Sequence, residues 1–253
     1  MTPLRVDLSS VTVTFGRRRA LENINLDVSA GEFVAVVGPN GSGKSTLLRT
    51  IAGEVAPTRG TATVAGVPIA DVGPQSAARL RSYLPQTHSG DIGFDVATVV
   101  GFGTFIASTL EEPDARVRSA MARVGVTELA DRPFRELSGG EQRRVAVARV
   151  LCQGAPVMLL DEPTDSLDLG HADLVMSAAE AEAAGTRIVV STSHDLNAAG
   201  RHASRMVLLN HGRIVRDGTP AEVLDATLLS AVYETPVLVV PHPDTGVPIV
   251  IPA

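Results

Sequence analysis

The stretch Phe33-Val34-Ala35-Val36-Val37-Gly38-Pro39-Asn40-Gly41-Ser42-Gly43-Lys44-Ser45-Thr46 decides the fold. Phe33 to Val37 is a short apolar run rich in β-branched residues, the pattern of a parallel strand buried on both faces. The residues after it spell G-x-x-x-x-G-K-S, the phosphate-cradling P-loop. Gly38, Gly41 and Gly43 let the backbone curl tightly with its N–H groups turned inward. Lys44 to Ile51 then reads as a helix whose N-terminal N–H groups and dipole favour a negative charge. Lys44 is the only lysine; every other one of the 22 basic residues is arginine. A compact ammonium on a flexible stem suits a tight phosphate pocket better than a planar guanidinium fork. In such a loop Lys44 reaches the β- and γ-phosphates of a nucleotide, and the Ser45 hydroxyl ligates Mg²⁺. The plain alternative is a glycine-rich strand-to-helix turn. The strand before and the helix after are the context that the motif requires.

Whole-chain properties narrow the class. At 253 residues the chain can bury a substantial core, as one domain or a domain with a subdomain. A net charge of −6 argues against a nucleic-acid-binding surface. Arg17-Arg18-Arg19 is the one basic cluster, and a solvated hairpin turn is favoured over a phosphate or lipid contact. Cys152 is the only cysteine, which excludes an intramolecular disulfide and suits a reducing compartment. A small buried residue in a helix is the expectation for it. The N-terminus does not read as a signal peptide. The longest apolar stretch, Val96 to Leu110, is short and broken by Gly101 and Gly103, so it is not expected to span a membrane. His88 and His242 read as loop residues rather than ligands. His171, His202 and His211 lack ligand spacing, so no transition-metal site is expected.

Along the chain, strands and helices alternate. Arg5 to Phe15 and Ile24 to Val28 alternate apolar and polar residues, as expected of a half-exposed antiparallel sheet, with Thr61 to Val67 as a further strand. Beyond Tyr83-Leu84-Pro85-Gln86 the pattern turns helical. Asp114 is placed to cap a helix with Val117, Ala120, Met121 and Val124 on one face. Val157 to Leu160, Arg187 to Thr192 and Met206 to Leu209 are apolar strands. Helical stretches at Glu141 to Gln153 and Gly170 to Ala183 separate them. This is the βαβ rhythm of a parallel sheet covered on both faces.

Two further features carry chemistry. In Val157-Met158-Leu159-Leu160-Asp161-Glu162-Pro163 a carboxylate ends a buried strand, on the edge where open α/β sheets bind ligands. Asp161 is placed to hold Mg²⁺, and Glu162 to orient or deprotonate a water attacking a γ-phosphate. Ordinary solvated carboxylates at a strand end are the alternative, weakened by the P-loop upstream. In Leu137-Ser138-Gly139-Gly140-Glu141-Gln142, Ser138 and Glu141 have capping-box spacing. The two glycines expose N–H groups, making a second anion site; read by itself, the segment is equally a well-capped helix.

Taken together, these residues resemble the ATP-binding cassette family, the nucleotide-binding subunits of ABC transporters. The resemblance covers nearly the whole chain, and its motifs come in the family's order. It implies a P-loop NTPase of RecA-like α/β fold: a mostly parallel sheet core with an antiparallel β subdomain and a helical subdomain. Residues 1–253 then form one ATPase domain, with 1–86 and 141–253 as the core and 87–140 as the helical subdomain including the signature motif. Gly38 to Thr46 match Walker A, with Gly38, Pro39, Asn40, Gly41, Ser42, Gly43, Lys44, Ser45 and Thr46 around ATP. Gln86 matches the glutamine that touches Mg²⁺ and the attacking water. Leu137 to Gln142 match the signature motif. Asp161 and Glu162 match the Walker B aspartate and the catalytic glutamate. Ser166-Leu167-Asp168 match the D-loop, where Asp165 stands in place of the usual serine or asparagine. His194 matches the switch histidine at the γ-phosphate. Phe15 matches the aromatic that stacks on adenine, usually a tyrosine; phenylalanine keeps the stacking face.

The mechanism that the resemblance implies is dimeric. Ser138, Gly139 and Gly140 close on ATP held by the partner subunit, so a homodimer sandwiches two nucleotides. ATP binding closes the dimer, hydrolysis reopens it, and the switch drives a separate transmembrane permease at the cytoplasmic face of the membrane. A substrate-binding protein is implied indirectly. The tail resembles the metal-chelate import branch, whose ATPases serve haem, ferric siderophores and cobalamin. The residues that carry this are Gly212 to Leu224, Tyr233-Glu234-Thr235-Pro236 and Pro241-His242-Pro243, with Gly246 to Pro252 fitting a terminal strand pair. The stretch between Gln86 and Leu137 departs from the branch: it is shorter than usual and shows Gly101-Phe102-Gly103 where a leucine-glycine-arginine run is familiar. A manganese or zinc importer ATPase and a soluble non-transport cassette are the alternatives. A P-loop kinase would carry an acceptor site in place of the signature motif. A DNA-repair or ribosome-rescue cassette would carry a coiled-coil insertion, a second cassette or a basic surface.

Overall fold

A computed structural model describes residues 3–86, 93–106 and 112–253. His88 and the end of the Val96–Leu110 apolar stretch lie outside the described residues. The run Phe33–Val37 is strand β3, preceded by β1 (Arg5–Phe15) and β2 (Arg18–Ser29). Helix α1 (Lys44–Ile51) follows it, then β4 (Arg59–Val64), β5 (Val67–Pro68), α2 (Pro74–Leu80) and β6 (Arg81–Leu84). The helical stretch holds α3 (Val96–Gly101), α4 (Pro113–Arg123) and α5 (Gly139–Gln153). Next come β7 (Val157–Asp161), α6 (Leu169–Ala184), β8 (Ile188–Thr192), α7 (Leu196–His202), β9 (Arg205–Asn210) and β10 (Arg213–Gly218). The tail is α8 (Pro220–Val223), α9 (Ala226–Tyr233), β11 (Val237–Pro241) and β12 (Pro248–Pro252).

The central sheet has six strands in the order β10-β9-β3-β8-β7-β6. β9, β3, β8, β7 and β6 run parallel, and β10 joins the edge antiparallel. Every residue of β3, β7 and β8 is buried, because both faces of the sheet are covered. Alternation along the strands divides them between two cores. Phe33, Ala35 and Val37 face the helical side, with Val99, Met121, Val147 and Met176. Val34 and Val36 face the other side, where α1 supplies Leu47, Leu48 and Ile51 and the antiparallel sheet supplies Val6, Leu8, Val11 and Val13. Each such fully buried Val or Leu stabilises by about 1.5–3 kcal/mol relative to exposure.

The antiparallel sheet has the order β2-β1-β4-β5. In β1 the buried positions step from Val6 and Leu8 to Val11 and Val13, with Ser9 and Ser10 exposed between them. Ser10 lies in the left-handed region at φ 52, and the β1–β2 pairing shifts register there. This bulge keeps both halves of the strand facing the core. Thr61 to Val67, expected as one strand, is instead a hairpin. Ala65 and Gly66 have φ 51 and 78, so they make the two-residue turn between β4 and β5. Asp114 does not cap α4. Glu112 holds the N-cap position and Pro113 opens the helix, where its missing N–H costs nothing. Val124, expected on that helix, is its C-cap residue and is fully buried. Cys152 is buried in α5, as expected. β11 and β12 form the terminal strand pair. Among the described residues, no helix is long and apolar enough to cross a membrane.

Candidate active site

Four neighbouring parallel strands bring the candidate residues to one edge of the sheet. β3 runs into the P-loop, β8 into Ser193-His194, β7 ends on Asp161, and β6 leads through Pro85 to Gln86. All four end at their carboxyl side, the edge at which open α/β sheets receive ligands.

The P-loop needs its glycines. Gly38, Gly41 and Gly43 have φ 146, 77 and 110. A Cβ on Gly38 would lie 2.0 Å from the Leu209 carbonyl oxygen, and one on Gly43 would lie 2.7 Å from that of Ala20. Helix α1 starts at Gly43 without a side-chain cap or an acidic residue in its first turn, so its N–H groups are available to an anion. The Ser42 hydroxyl is buried with no hydrogen-bond partner among the described residues. A phosphate oxygen fits such a donor. Lys44 is 5% exposed, and its Nζ donates to the carbonyls of Gly38 at 2.8 Å and Pro39 at 3.1 Å. Burial pulls the ammonium down from its ordinary value, while Glu162 and then Asp161 act in the opposite direction.

Asp161 is buried and receives two hydroxyls on one oxygen. Ser45 Oγ donates to its Oδ1 at 3.1 Å, and Thr192 Oγ1 donates to the same atom at 2.6 Å. This all-oxygen set of hydroxyl and carboxylate suits a hard cation such as Mg²⁺. Glu162 follows in the left-handed region at φ 51, a conformation that a non-glycine residue holds only when its surroundings impose it. Its N–H donates to Thr192 Oγ1 at 2.8 Å. Its side chain accepts from Gln86 Nε2 at 2.8 Å. Burial and the Asp161 carboxylate both push the Tyr83 phenol up, so it is neutral beside this cluster.

The signature segment starts α5. Ser138 Oγ accepts from the Glu141 N–H at 3.3 Å, and the Glu141 carboxylate accepts from the Ser138 N–H at 2.8 Å and its hydroxyl at 2.7 Å. These bonds hold the Glu141 carboxyl below its ordinary range. Gly140 packs on the D-loop: a Cβ there would lie 3.0 Å from the Ser166 carbonyl oxygen. Ser166 is itself left-handed, at φ 63. Asp168 caps α6 through the His171 N–H at 2.9 Å. Among the described residues, no hydrogen bond joins Ser138, Gly139 or Gly140 to residues 38–46 of the same chain.

Phe15 ends β1 and is 49% exposed. His194 is exposed just beyond β8. Arg17 to Arg19 are exposed, as expected, but only Gly16 and Arg17 form the turn. Arg19 pairs with Glu22, and Arg18 extends over the P-loop, with Nη2 3.7 Å from where a Gly41 Cβ would stand. His242 sits in the β11–β12 connection. His202 is buried between Glu180 at 3.0 Å and Asp173 at 3.2 Å.

Two residues of the cluster were missed by sequence reasoning. Thr192 links Asp161 to Glu162, and the one available signal was a hydroxyl ending the strand beside β7, in register with Asp161. The other is Arg143. Its Nη1 donates to the carbonyls of Pro85 at 2.7 Å and Gln86 at 3.3 Å. Its Nη2 donates to the carbonyls of Asp161 and, at 2.6 Å, Glu162.

Comparison with known proteins shows the family. The family model described as ABC transporter matches residues 21–165. A hemin import ATP-binding protein of Nocardia farcinica is 45% identical over 93% of this chain and 83% of its own length. One of Streptomyces coelicolor is 45% identical over 95% of this chain and 87% of its own length. A cobalamin import ATP-binding protein of Halobacterium salinarum is 39% identical over 98% of this chain and 64% of its own length. Among solved structures, a chain of a transporter described as metal-chelate type, in an inward-facing conformation, superposes with a TM-score of 0.81 at 25% identity, covering 100% of this chain and 98% of that one. A dimeric ATP-binding cassette with ADP and phosphate bound superposes with a TM-score of 0.76 at 28% identity, covering 85% of this chain and 98% of that one. The chain belongs to the ABC transporter family, as one of its ATP-binding, ATP-hydrolysing cassettes.

Proposed function

We propose that this cassette powers uptake of an iron chelate, haem foremost, or of cobalamin, through a separate permease at the cytoplasmic face of the membrane. The names and coverage of the relatives support this reading, as does the metal-chelate type transporter among the solved structures. The terminal β11–β12 pair, expected for that branch, supports it further. A substrate-binding protein would deliver the cargo outside.

The observation that carries the catalytic assignment is the joined cluster Ser45–Asp161–Thr192–Glu162–Gln86 at one sheet edge. Residues 38–46 wrap the phosphates of ATP, Lys44 leaving the Gly38 and Pro39 carbonyls for the β- and γ-phosphates. Phe15 stacks on the adenine. Ser45, Asp161 and Gln86 would hold Mg²⁺, which supplies charge neutralisation on the β- and γ-oxygens. Glu162 accepts the proton of a water as its oxygen attacks the γ-phosphorus. The bond from that phosphorus to the bridging oxygen breaks, and ADP leaves with the electron pair. His194 contacts the γ-phosphate. Ser138, Gly139 and Gly140 complete the site of a second copy, so the working unit is a homodimer. The dimeric cassettes among the solved structures support this. Residues 87–140, as the helical subdomain, dock the permease.

Deletion of this cassette tests the cargo. Growth on haem as the iron source should be lost and be restored by the wild-type chain but not by Glu162→Gln. Unchanged growth on haem with loss of cobalamin use would move the assignment to cobalamin. Unchanged growth on haem, ferric siderophore and cobalamin alike would overturn the importer reading.

A further inference from the structure

The first two turns of α5 touch three parts of the catalytic apparatus. Its cap, Ser138, is the residue assigned to the partner's ATP. Gly140 bears on Ser166 of the D-loop. One turn further, Arg143 enters the space behind the catalytic edge and is 5% exposed. Among the described residues, its two terminal nitrogens divide four carbonyls between them. Nη1 takes Pro85 and Gln86, on the segment leaving β6; Nη2 takes Asp161 and Glu162, at the end of β7.

Only a planar fork with several fixed donors can bridge two such pairs; an ammonium is a single point. The contact also explains how Glu162 keeps its left-handed backbone. Thr192 holds the residue by its N–H and Arg143 holds it by its carbonyl, so the backbone is fixed from both ends. Burial pulls the guanidinium down from its ordinary value. Asp165 leads the carboxylates that oppose this, ahead of Asp161 and Glu162. The unusual acid of the D-loop thus acts on the same arginine.

We infer that Arg143 is a positioning residue that couples the two ATP sites of the dimer. It transmits the seating of the signature helix on the partner's nucleotide to Glu162 and Gln86 of its own site. The mechanical basis is short and stiff. Ser138 and Arg143 lie about 7.5 Å apart along one helix axis, and a displacement of the helix start by the partner's γ-phosphate moves the carbonyls that Arg143 holds. The inference rests on the dimeric reading of the signature motif and adds a wire between the sites that this reading alone does not contain.

The test uses the full-length chain, with the ATP dependence of hydrolysis and the binding of a fluorescent ATP analogue measured for Arg143→Met, Arg143→Lys and Arg144→Met. Arg144 is the control: equally buried on the same helix, it donates to the carbonyls of Val124 and Gly125, away from the catalytic edge. For Arg143→Met, kcat should fall about 10²-fold with nucleotide affinity held within about twofold. The Hill coefficient for ATP should drop from above unity to about one. Arg143→Lys, reaching one pair of carbonyls, should recover part of kcat and part of the cooperativity. Arg144→Met should lower the melting temperature and leave the Hill coefficient as in wild type. Wild-type kcat and cooperativity in Arg143→Met would overturn the inference. So would a fall in melting temperature like that of the Arg144 control with the Hill coefficient left as in wild type. If Arg143→Met does not fold, unaltered cooperativity in Arg143→Lys would overturn it equally. A wild-type enzyme without cooperativity would overturn the coupling alone, whereas a Glu162→Gln chain that stays monomeric with ATP bound would remove the dimeric reading on which it rests.

Discussion

Gln86 Nε2 donates to Glu162 Oε2 at 2.8 Å, across two segments that leave the sheet on adjacent strands. The bond joins the end of β6 to the end of β7 at the side chain, and Arg143 joins the same two segments at the backbone. The carboxylate assigned to water activation is therefore held by an amide that does not titrate. Its orientation is set by neighbours rather than by its own rotamer freedom, which is how a general base is kept ready for a reacting water.

Lys44 is the ammonium nearest the phosphates in this assignment. Excess ATP at a hundred times its Kd should stabilise the wild-type fold by about 2.7 kcal/mol. Lys44→Ala should fold, because the buried Asp161 carboxylate keeps the Ser45 and Thr192 hydroxyls that it accepts, and should lose nucleotide affinity by at least about 10²-fold. Thermal melting with and without Mg²⁺-ATP checks this. A nucleotide-dependent rise as large as that of wild type would count against the pocket.

Gly38 has no room for a side chain. A Cβ would stand 2.0 Å from the Leu209 carbonyl oxygen and 3.0 Å from Ser42 Oγ, at φ 146. Gly38→Ala should cost roughly 3 kcal/mol through strained backbone and displaced β9. For a chain of this size that is a fall of roughly 6–12 °C in melting temperature. An unchanged melting temperature would show that the loop has more freedom than the packing indicates.

Much of this was legible in the sequence, for identifiable reasons. Phe33–Val37 and Lys44–Ile51 form the elements expected of them because burial on both faces and three glycines leave few alternatives. The capping box at Ser138–Glu141 is a local pattern, closed within four residues. The break between β4 and β5 was hidden because Ala65 carries no turn signal of its own; its positive φ is imposed by the tight pairing of Val64 with Val67. Arg143 and Thr192 were not legible because their partners are distant in sequence. The arginine reaches carbonyls 18 to 58 residues away, and the threonine a carboxylate 31 residues away. Periodicity shows which face of a helix is buried, not which remote carbonyls a guanidinium meets on that face.

Glu141 makes the start of α5 sensitive to acid. Its carboxyl is held below the ordinary 4.5, first by the Ser138 hydroxyl and then by the Ser138 N–H. A depressed carboxyl contributes stability that is fully present above its unfolded value and is lost as pH falls through its folded one. Wild type should therefore melt about 1–3 °C above Glu141→Gln at pH 7. The gap should close below pH 4.5, as the wild-type carboxyl protonates. Calorimetry across this range checks it, and a gap that is constant with pH would assign the difference to packing.

The central claim is that two copies of this chain grip ATP between Lys44 of one and Ser138 of the other. Sedimentation velocity of Glu162→Gln with and without Mg²⁺-ATP tests it most directly, because a site that binds but hydrolyses about 10²- to 10⁴-fold more slowly keeps the closed state populated. The variant should sediment as a monomer alone and as a dimer with ATP. Adding Ser138→Arg to the same chain should abolish the dimer while monomeric ATP binding persists. A dimer that survives Ser138→Arg, or a Glu162→Gln chain that stays monomeric with ATP bound, would contradict the account.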